Sequence, residues 1–280
     1  MDTPDFLVIG HVCRDVVFDE PGWRPGGAAW YAAAAASKLG CSVGVLTAGG
    51  PEVNSLRDLP NTAVISLEGR KSTSFENAYD DGHRRQVLRS LAPRIVADLL
   101  PPEWSHAPVV LLAPVASEVP ESTARLFGHS VVGVAPQGYM RKLVAGEPVL
   151  YQSWRRAEDM LPHVQAVIFS EEDLQGHGEA WLGFCGPVLA MTRGSAGCDL
   201  IHCGKRRTVA GFPREDVDPT GAGDVFAAAF LLKLRESRDP FVAARFANAV
   251  ASFSVEGSGI SGLPALDEVT RRLEEAHVGG

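Results

Sequence analysis

Six short apolar runs limit what this chain can become. Phe6-Leu7-Val8-Ile9-Gly10, Val43 to Thr47, Val109-Leu112, Val131-Ala135, Ala166-Phe169 and Val188-Thr192 are each followed by a polar or helical stretch. Runs of this kind, apolar without strict alternation, suit strands buried on both faces. Ala28 to Leu39 is rich in Ala and ends at Gly40, so it reads as a helix with a glycine cap. Strand, excursion, helix and strand then make a βαβ-type unit. A long helix from Phe241 to about Ser254 and an amphipathic one from about Leu266 close the chain. The fold expected is α/β: a three-layer α/β/α sandwich with a mostly parallel central sheet.

Two segments break the alternation. Val12 to Phe18 alternates loosely. Ser72 to Leu91 is polar, with an Asp80-Asp81-Gly82 turn between Phe75-Glu76-Asn77-Ala78-Tyr79 and Arg84-Arg85-Gln86-Val87-Leu88. The second segment reads as a β-hairpin. Such strands are too polar for a core. They fit a small β-sheet projecting from the main domain, built from about 12–20 and 72–91, or an ordinary exposed hairpin. An exposed edge there would offer a second copy a surface for pairing. Pro101-Pro102 and Pro114 to Pro120 mark loops, and no linker stands out, so residues 1–280 read as one domain.

With 280 residues, a formal net charge of -8 and no basic face in view, the chain is not built for broad nucleic-acid binding. No apolar run reaches membrane-spanning length, and Met1-Asp2-Thr3-Pro4-Asp5 resembles no secretory leader. Cys13, Cys41, Cys185, Cys198 and Cys203 are odd in number and lack C-x-x-C spacing. A zinc site and a disulfide framework are therefore not expected, and a cytoplasmic location is.

Chemistry concentrates in Asp218-Pro219-Thr220-Gly221-Ala222-Gly223-Asp224, which runs straight into the apolar Val225-Phe226-Ala227-Ala228-Ala229-Phe230. Small residues let a backbone approach a ligand, and the first amides of a helix lack intrahelical partners and carry partial positive charge. That arrangement holds anions. A carboxylate beside it has a use in accepting a proton from an attacking hydroxyl. Helix capping by Asp218 or Asp224 is the plainer alternative.

The seven-residue run resembles the second signature of the PfkB, or ribokinase-like, family of carbohydrate kinases, and all seven positions match. The resemblance implies Asp224 as catalytic base and Gly221, Ala222 and Gly223 as the anion hole for the transferred phosphoryl group. It also implies a monovalent cation such as K+ near Asp218 and Thr220. Gly26-Gly27, fifteen residues from Gly40 counted inclusively, resembles the first signature, with Tyr31 where the family has Asn. Asp15 matches the position of an acceptor-binding Asp. Alone, these residues would fit a turn before a helix and a capping Asp.

Thr192-Arg193-Gly194-Ser195-Ala196-Gly197 resembles the family's nucleotide loop, placing Thr192, Gly194 and Gly197 at the donor. Asn248, inside an apolar helix, matches an Asn near the nucleotide base. Ser170-Glu171-Glu172-Asp173 stands where the family has Asn-x-x-Glu organising Mg2+. Glu172 and Asp173 are the candidates there, with Asp218 a further metal candidate, and helix capping by Ser170 explains the residues equally. Gln137 and Arg141, after a strand, and Asn77 and Arg85, on the hairpin, are placed in the acceptor pocket by position. The hairpin segment corresponds to the family's β-sheet lid over the acceptor.

The chain contains no G-x-x-x-x-G-K-[ST], no G-x-G-x-x-G after the first strand, and neither G-x-S-x-G nor H-E-x-x-H. P-loop kinase and dinucleotide-binding readings therefore fall away. The expectation is an ATP-dependent, Mg2+-assisted kinase phosphorylating a hydroxyl of a sugar, polyol or nucleoside. The Gly26-Gly27 helix, Phe75-Glu76-Asn77 and Ala135-Pro136-Gln137-Gly138 are most similar to the myo-inositol kinase-like branch, which favours a cyclic polyol or sugar. A nucleoside or ribose-type acceptor is one alternative. A sugar-binding protein that kept the fold and lost turnover is the other.

Overall fold

Along the first strand, β1 (Phe6–Ile9), alternate side chains enter two different cores. Phe6 and Val8 join one apolar cluster, Leu7 and Ile9 the other, and all four are fully buried. The computed structural model describes residues 2–17, 22–80, 83–215 and 217–278. β1 is flanked by β4 (Val43–Gly49) and β8 (Val109–Leu112), both parallel to it. Outward from β8 run β9 (Val131–Val134), β12 (Ala166–Ser170) and β13 (Val188–Thr192), again parallel. All six apolar runs are thus strands of one parallel sheet. β5 (Thr62–Glu68) extends it beyond β4. The antiparallel pair β14 (Gly197–His202) and β15 (Lys205–Ala210) extends it beyond β13. The nine strands run in the order β15-β14-β13-β12-β9-β8-β1-β4-β5.

Of the three strands not foreseen, β5 and β15 are the two edges of the sheet, and β14 lies between β13 and β15. β5 is half-buried and polar on one side, and β15 presents Lys205, Arg206 and Arg207 to solvent, charges that blunt a sheet edge.

The helices gather on one face. α1 (Ala28–Lys38), α3 (Ala222–Ser237) and α4 (Pro240–Ser254) pack there, and α5 (Leu266–Val278) packs on α4. α1 ends as expected: the Gly40 amide bonds the Ser37 carbonyl (3.0 Å) and the Cys41 amide that of Ala36 (3.1 Å), with Gly40 at φ 92°. α4 begins with the Asp239 carboxylate accepting the amides of Phe241 and Val242, and Pro240 in the first turn.

The other face is covered differently from a stack of long helices. A single four-residue helix, α2 (Ala157–Met160), and a series of 3-10 turns lie on it among the described residues. Prolines punctuate those segments: Pro102 and Pro136 open 3-10 turns, and Pro162 lies inside another. Aromatic side chains supply the apolar area that helices would give. Tyr139 stacks on Trp154 at 5.0 Å between ring centres, and Trp181 meets Phe169 edge-on at 5.0 Å.

The hairpin is present. β6 (Thr73–Asp80) pairs antiparallel with β7 (His83–Ser90), and Asp81 and Gly82 at its turn lie outside the described residues. β2 (Cys13–Val17) runs parallel to β6, and β3 (Arg24–Gly26) joins the far side of β2. These four strands form a separate sheet, β3-β2-β6-β7. Residues 18–20 of the anticipated segment lie outside the described residues. β10 (Arg141–Lys142) and β11 (Leu150–Tyr151) make a short antiparallel pair.

One expectation about cysteine is corrected. Cys185 and Cys203 form a disulfide across 18 residues, tying the segment before β13 to the β14–β15 turn. Their sequence spacing gave no sign of it, because a hairpin brings them together. Cys13, Cys41 and Cys198 are free thiols. Among the described residues no helix is long and apolar enough to cross a membrane.

Candidate active site

The C-terminal ends of the parallel strands, the start of α3 and the four-stranded sheet enclose a cleft of about 330 Å³. Open parallel sheets bind ligands at this end. Asp224 stands in the first turn of α3, and Gly221, Ala222 and Gly223 line the same space. Gly221 caps the helix in the left-handed conformation, φ 80°, which favours glycine. No side chain caps the helix. Of the three amides expected to form the anion hole, that of Ala222 turns back to the Pro219 carbonyl at 3.2 Å. A Cβ on Gly223 would meet no atom within 4 Å, so that residue faces the open cleft.

Gly221 is constrained from below. A Cβ there would overlap Cγ, Cδ1 and Cδ2 of Tyr31, whose buried ring rises from α1 and also lines the cleft. Tyr31, where the resemblance led to an expected Asn, is therefore packed against the turn at Gly221. Sequence reading noted the departure but not the contact, because α1 and α3 are far apart in the chain and meet only in the fold.

The residues expected to bind the acceptor lie around β2 and β3. Asp15 lies opposite Arg24 in the register, and a side chain on Gly26 would overlap the Asp15 carboxylate. Gly27, φ 87°, passes so close to the chain before it that a Cβ would stand 2.7 Å from the His11 carbonyl and 2.9 Å from Cys13 Sγ. Asp15 and Gly27 line the cleft, while Gly26, expected there too, is not among the lining residues and packs against the Asp15 carboxylate. Cys13 registers the electrostatics. Burial pushes its thiol well up, the nearby charges of Asp15, Glu118 and Asp224 push it further, and Arg141 opposes them. Arg141 also lies over the Phe75 ring of β6 at 5.6 Å, joining the main body to the smaller sheet.

The hairpin candidates are resolved unequally. Asn77 is buried and accepts a hydrogen bond from Gln86 Nε2 (2.8 Å), and Gln86 is the one of the pair that lines the cleft. The two are cross-strand partners, a pairing fixed only by the hairpin register. Arg85 lies in β7, with its side chain outside the described residues. Gln137 lines the cleft and donates to Asp173 Oδ1 (2.7 Å), so an acceptor candidate and a metal candidate are joined directly.

Ser170 and Asp173 form a reciprocal cap: the Ser170 amide donates to Asp173 Oδ2 (2.8 Å) and the Asp173 amide to Ser170 Oγ (3.0 Å). Glu172 and Asp173 both face the cleft. Asp218 uses both oxygens on backbone, Oδ1 for the Thr220 amide (3.0 Å) and Oδ2 for the Gly259 amide (3.1 Å). Burial alone would raise its carboxyl. The hydrogen bonds from Thr220 and Gly259 and the charge of Arg24 outweigh that and hold it below the ordinary range. Among the described residues no three His, Cys, Asp or Glu side chains gather as a metal group.

The loop expected to hold the donor follows β13. Thr192, Gly194 and Gly197 line the cleft with Gly211, Phe212 and Arg214. Gly197, φ 94°, abuts the Val209–Gly211 backbone with no room for a Cβ, which explains the second glycine of the loop structurally. Asn248 borders the cleft while its amide donates to the Val209 and Ala210 carbonyls at 3.2 and 3.1 Å, pinning β15 to α4. Phe212 and Arg214 were not foreseen, since the loop that carries them has no recognisable pattern.

Residues 149–266 match the profile of the pfkB family carbohydrate kinases. The chain is 28% identical to a cytidine kinase of Thermococcus kodakarensis over 243 residues, 81% of this chain and 87% of that protein. It is 30% identical to an inositol 3-kinase of Oryza sativa subsp. japonica over 260 residues, 82% of this chain and 63% of that protein. The fold superposes with a TM-score of 0.77 on a pyrophosphate-dependent kinase in the ribokinase family complexed with a pyrophosphate analog and myo-inositol. That match has 23% identity and covers 97% of this chain and 99% of the other.

Proposed function

The chain belongs to the pfkB, ribokinase-like family of carbohydrate kinases, and on that premise we propose that Asp224 drives transfer of the γ-phosphoryl group of ATP to a hydroxyl of a cyclic polyol or sugar. The family's enzymes are phosphotransferases acting on hydroxyl groups. The observation that carries this reading is the shared cleft: Asp15 and Asp224 line one space together with Gly221, Ala222 and Gly223 at the start of α3.

In this reading Asp15 accepts hydrogen bonds from acceptor hydroxyls and so orients the ring. Such bonds discriminate, since an acceptor lacking the hydroxyl leaves the carboxylate unpaired. Asp224 takes the proton of the attacking hydroxyl. The transition state for phosphoryl transfer is loose, so the base acts late and need only be ionised and in place. The position of Asp224 at a helix N-terminus favours the ionised form. The Gly221 and Gly223 backbone faces the charge on the transferred group. The four-stranded sheet acts as the lid that excludes water, which would otherwise take the phosphoryl group.

A Mg2+ ion fits the donor set. Glu172 and Asp173 supply carboxylates without a complete protein cage, as suits an ion that keeps several waters and is shared with phosphates. Bound there, it would neutralise donor charge. A monovalent cation at the Asp218–Thr220 turn would stiffen a clamp the two residues already form.

A nucleoside acceptor is the second reading, favoured by the cytidine kinase likeness across most of both chains. Steady-state assays with inositols, pentoses, hexoses and nucleosides, each with ATP and with pyrophosphate, test the proposal. Cyclic polyols or sugars with ATP should give the highest kcat/KM. Preference for nucleosides would replace the acceptor class, and pyrophosphate preference would replace the donor.

A further inference from the structure

His11 is buried completely, at the place where the main body passes into the four-stranded sheet. The chain crosses between the two sheets at four points: from β1 into β2, from β3 into α1, into the start of β6, and out after β7. All four converge on this residue. His11 is itself the first crossing. Its carbonyl lies under Gly27, the second, where a Cβ would stand 2.7 Å away. Its Nδ1 is 2.8 Å from Oγ1 of Thr73, the first residue of β6. Its Nε2 is 2.8 Å from the carbonyl of Pro93, just past β7.

For a ring carrying one proton the hydrogen bonds admit one pattern. A carbonyl only accepts, so Nε2 carries the proton donated to Pro93. Thr73 Oγ1 accepts the Ala92 amide (3.1 Å) and turns its own O–H to Nδ1. The His11 amide donates to Glu118 Oε1 (2.9 Å). The Glu118 carboxylate also receives the amides of Val115 (3.1 Å) and Ala116 (2.7 Å), which anchors the junction to the loop after β8. A fully satisfied buried network of this kind holds its elements in a single arrangement.

We propose that His11 is a positioning residue for the acceptor half of the site, the pin that fixes the four-stranded sheet against the body. Asp15 lies four residues beyond it on β2 and pairs in register with Phe75 of β6. Both strands leave from the pin, so its geometry sets where Asp15 and Phe75 stand over the α3 terminus. His11 touches no substrate in this scheme and acts through Asp15. The proposal rests on the kinase reading of the cleft for its catalytic consequence, though not for its structural one.

Thr73→Val removes the hydroxyl, keeps the shape, and leaves Nδ1 and the Ala92 amide without a partner. Hydrogen exchange should quicken about tenfold or more in β2 and β6, the size expected for a stranded buried polar group, while β1, β8 and β12 keep wild-type rates. The KM for the acceptor should rise about tenfold with the donor KM nearly unchanged. Donor hydrolysis per transfer should increase, and Thr73→Ser should restore all three. In the wild type, ring nitrogen shifts of His11 should report the Nε2–H tautomer. Unchanged exchange in β2 and β6, acceleration spread equally over the nine-stranded sheet, or an Nδ1–H tautomer would each overturn the proposal. Absence of turnover with every acceptor would sink the kinase reading instead, and the exchange and tautomer measurements would still decide the pin.

Discussion

At position 221 a methyl group would enter space already held by the Tyr31 ring, on a backbone whose φ of 80° disfavours any Cβ. Two residues on, at Gly223, the same methyl group would meet nothing. The pair separates a glycine required by the fold from one that the fold does not require and that we propose faces the transferred group. Gly221→Ala should lower stability by about 1–3 kcal/mol in urea unfolding, as overpacking does, and reduce kcat with it. Gly223→Ala should leave stability equal or slightly higher, since alanine is the better helix residue, yet weaken turnover by filling the phosphoryl side of the cleft. Equal loss of stability in both variants would contradict the assignment. The sequence pattern marked all three small residues of this turn alike. Their different duties depend on Tyr31, which no local pattern connects to them.

The β13–β14–β15 element, which carries the loop proposed to hold the donor, is held by charge and by a covalent bridge. Asp199 is fully buried, and its carboxylate meets Arg206, Arg193 (3.1 Å) and the Thr208 hydroxyl (2.6 Å). Burial pushes that carboxyl up, but the bonds to Arg206 and Thr208 and the charge of Arg193 bring it below the usual range. A carboxyl depressed in the folded state stabilises above its unfolded value, near 3.9, and that stability drains as pH falls through the lower folded value. The midpoint of thermal unfolding should therefore drop on acidification through that window, and Asp199→Asn should flatten the drop. At neutral pH the same substitution should cost toward the low end of about 3–5 kcal/mol, because both arginines retain contact with water. The Cys185–Cys203 bridge closes a stretch of 18 residues, so its reduction should remove about 3 kcal/mol, read as a lower unfolding midpoint in dithiothreitol. No change on reduction would mean that the bridge is not formed in solution. Of this element the sequence displayed β13 and its loop plainly. The hairpin beyond stayed hidden because β15 is polar and exposed over most of its length, with only Val209 buried.

For the whole molecule, legibility followed burial. Strands covered on both faces have to be apolar throughout, so β1, β4, β8, β9, β12 and β13 showed themselves in the sequence as continuous runs. The second face did not, since it is closed by proline-opened turns and by Trp104, Trp154 and Trp181, which carry no periodicity. The part of the cleft proposed to carry out transfer was legible as one contiguous run, Asp218 to Asp224. On the side proposed for the acceptor, Asp15, Gly27, Gln137 and Arg141 were legible and line the cleft, whereas Gln86 was not, because it reaches the cleft only through the hairpin pairing of distant segments. The central claim is that this cleft is a phosphoryl-transfer site with Asp224 as its base. Its most direct test is the turnover of Asp224→Ala beside the wild type, with the best acceptor and donor, and with acceptor binding measured separately by calorimetry. The kcat of the variant should be lower by about 10²–10⁴-fold with acceptor affinity retained. Wild-type kcat in the variant would contradict the claim.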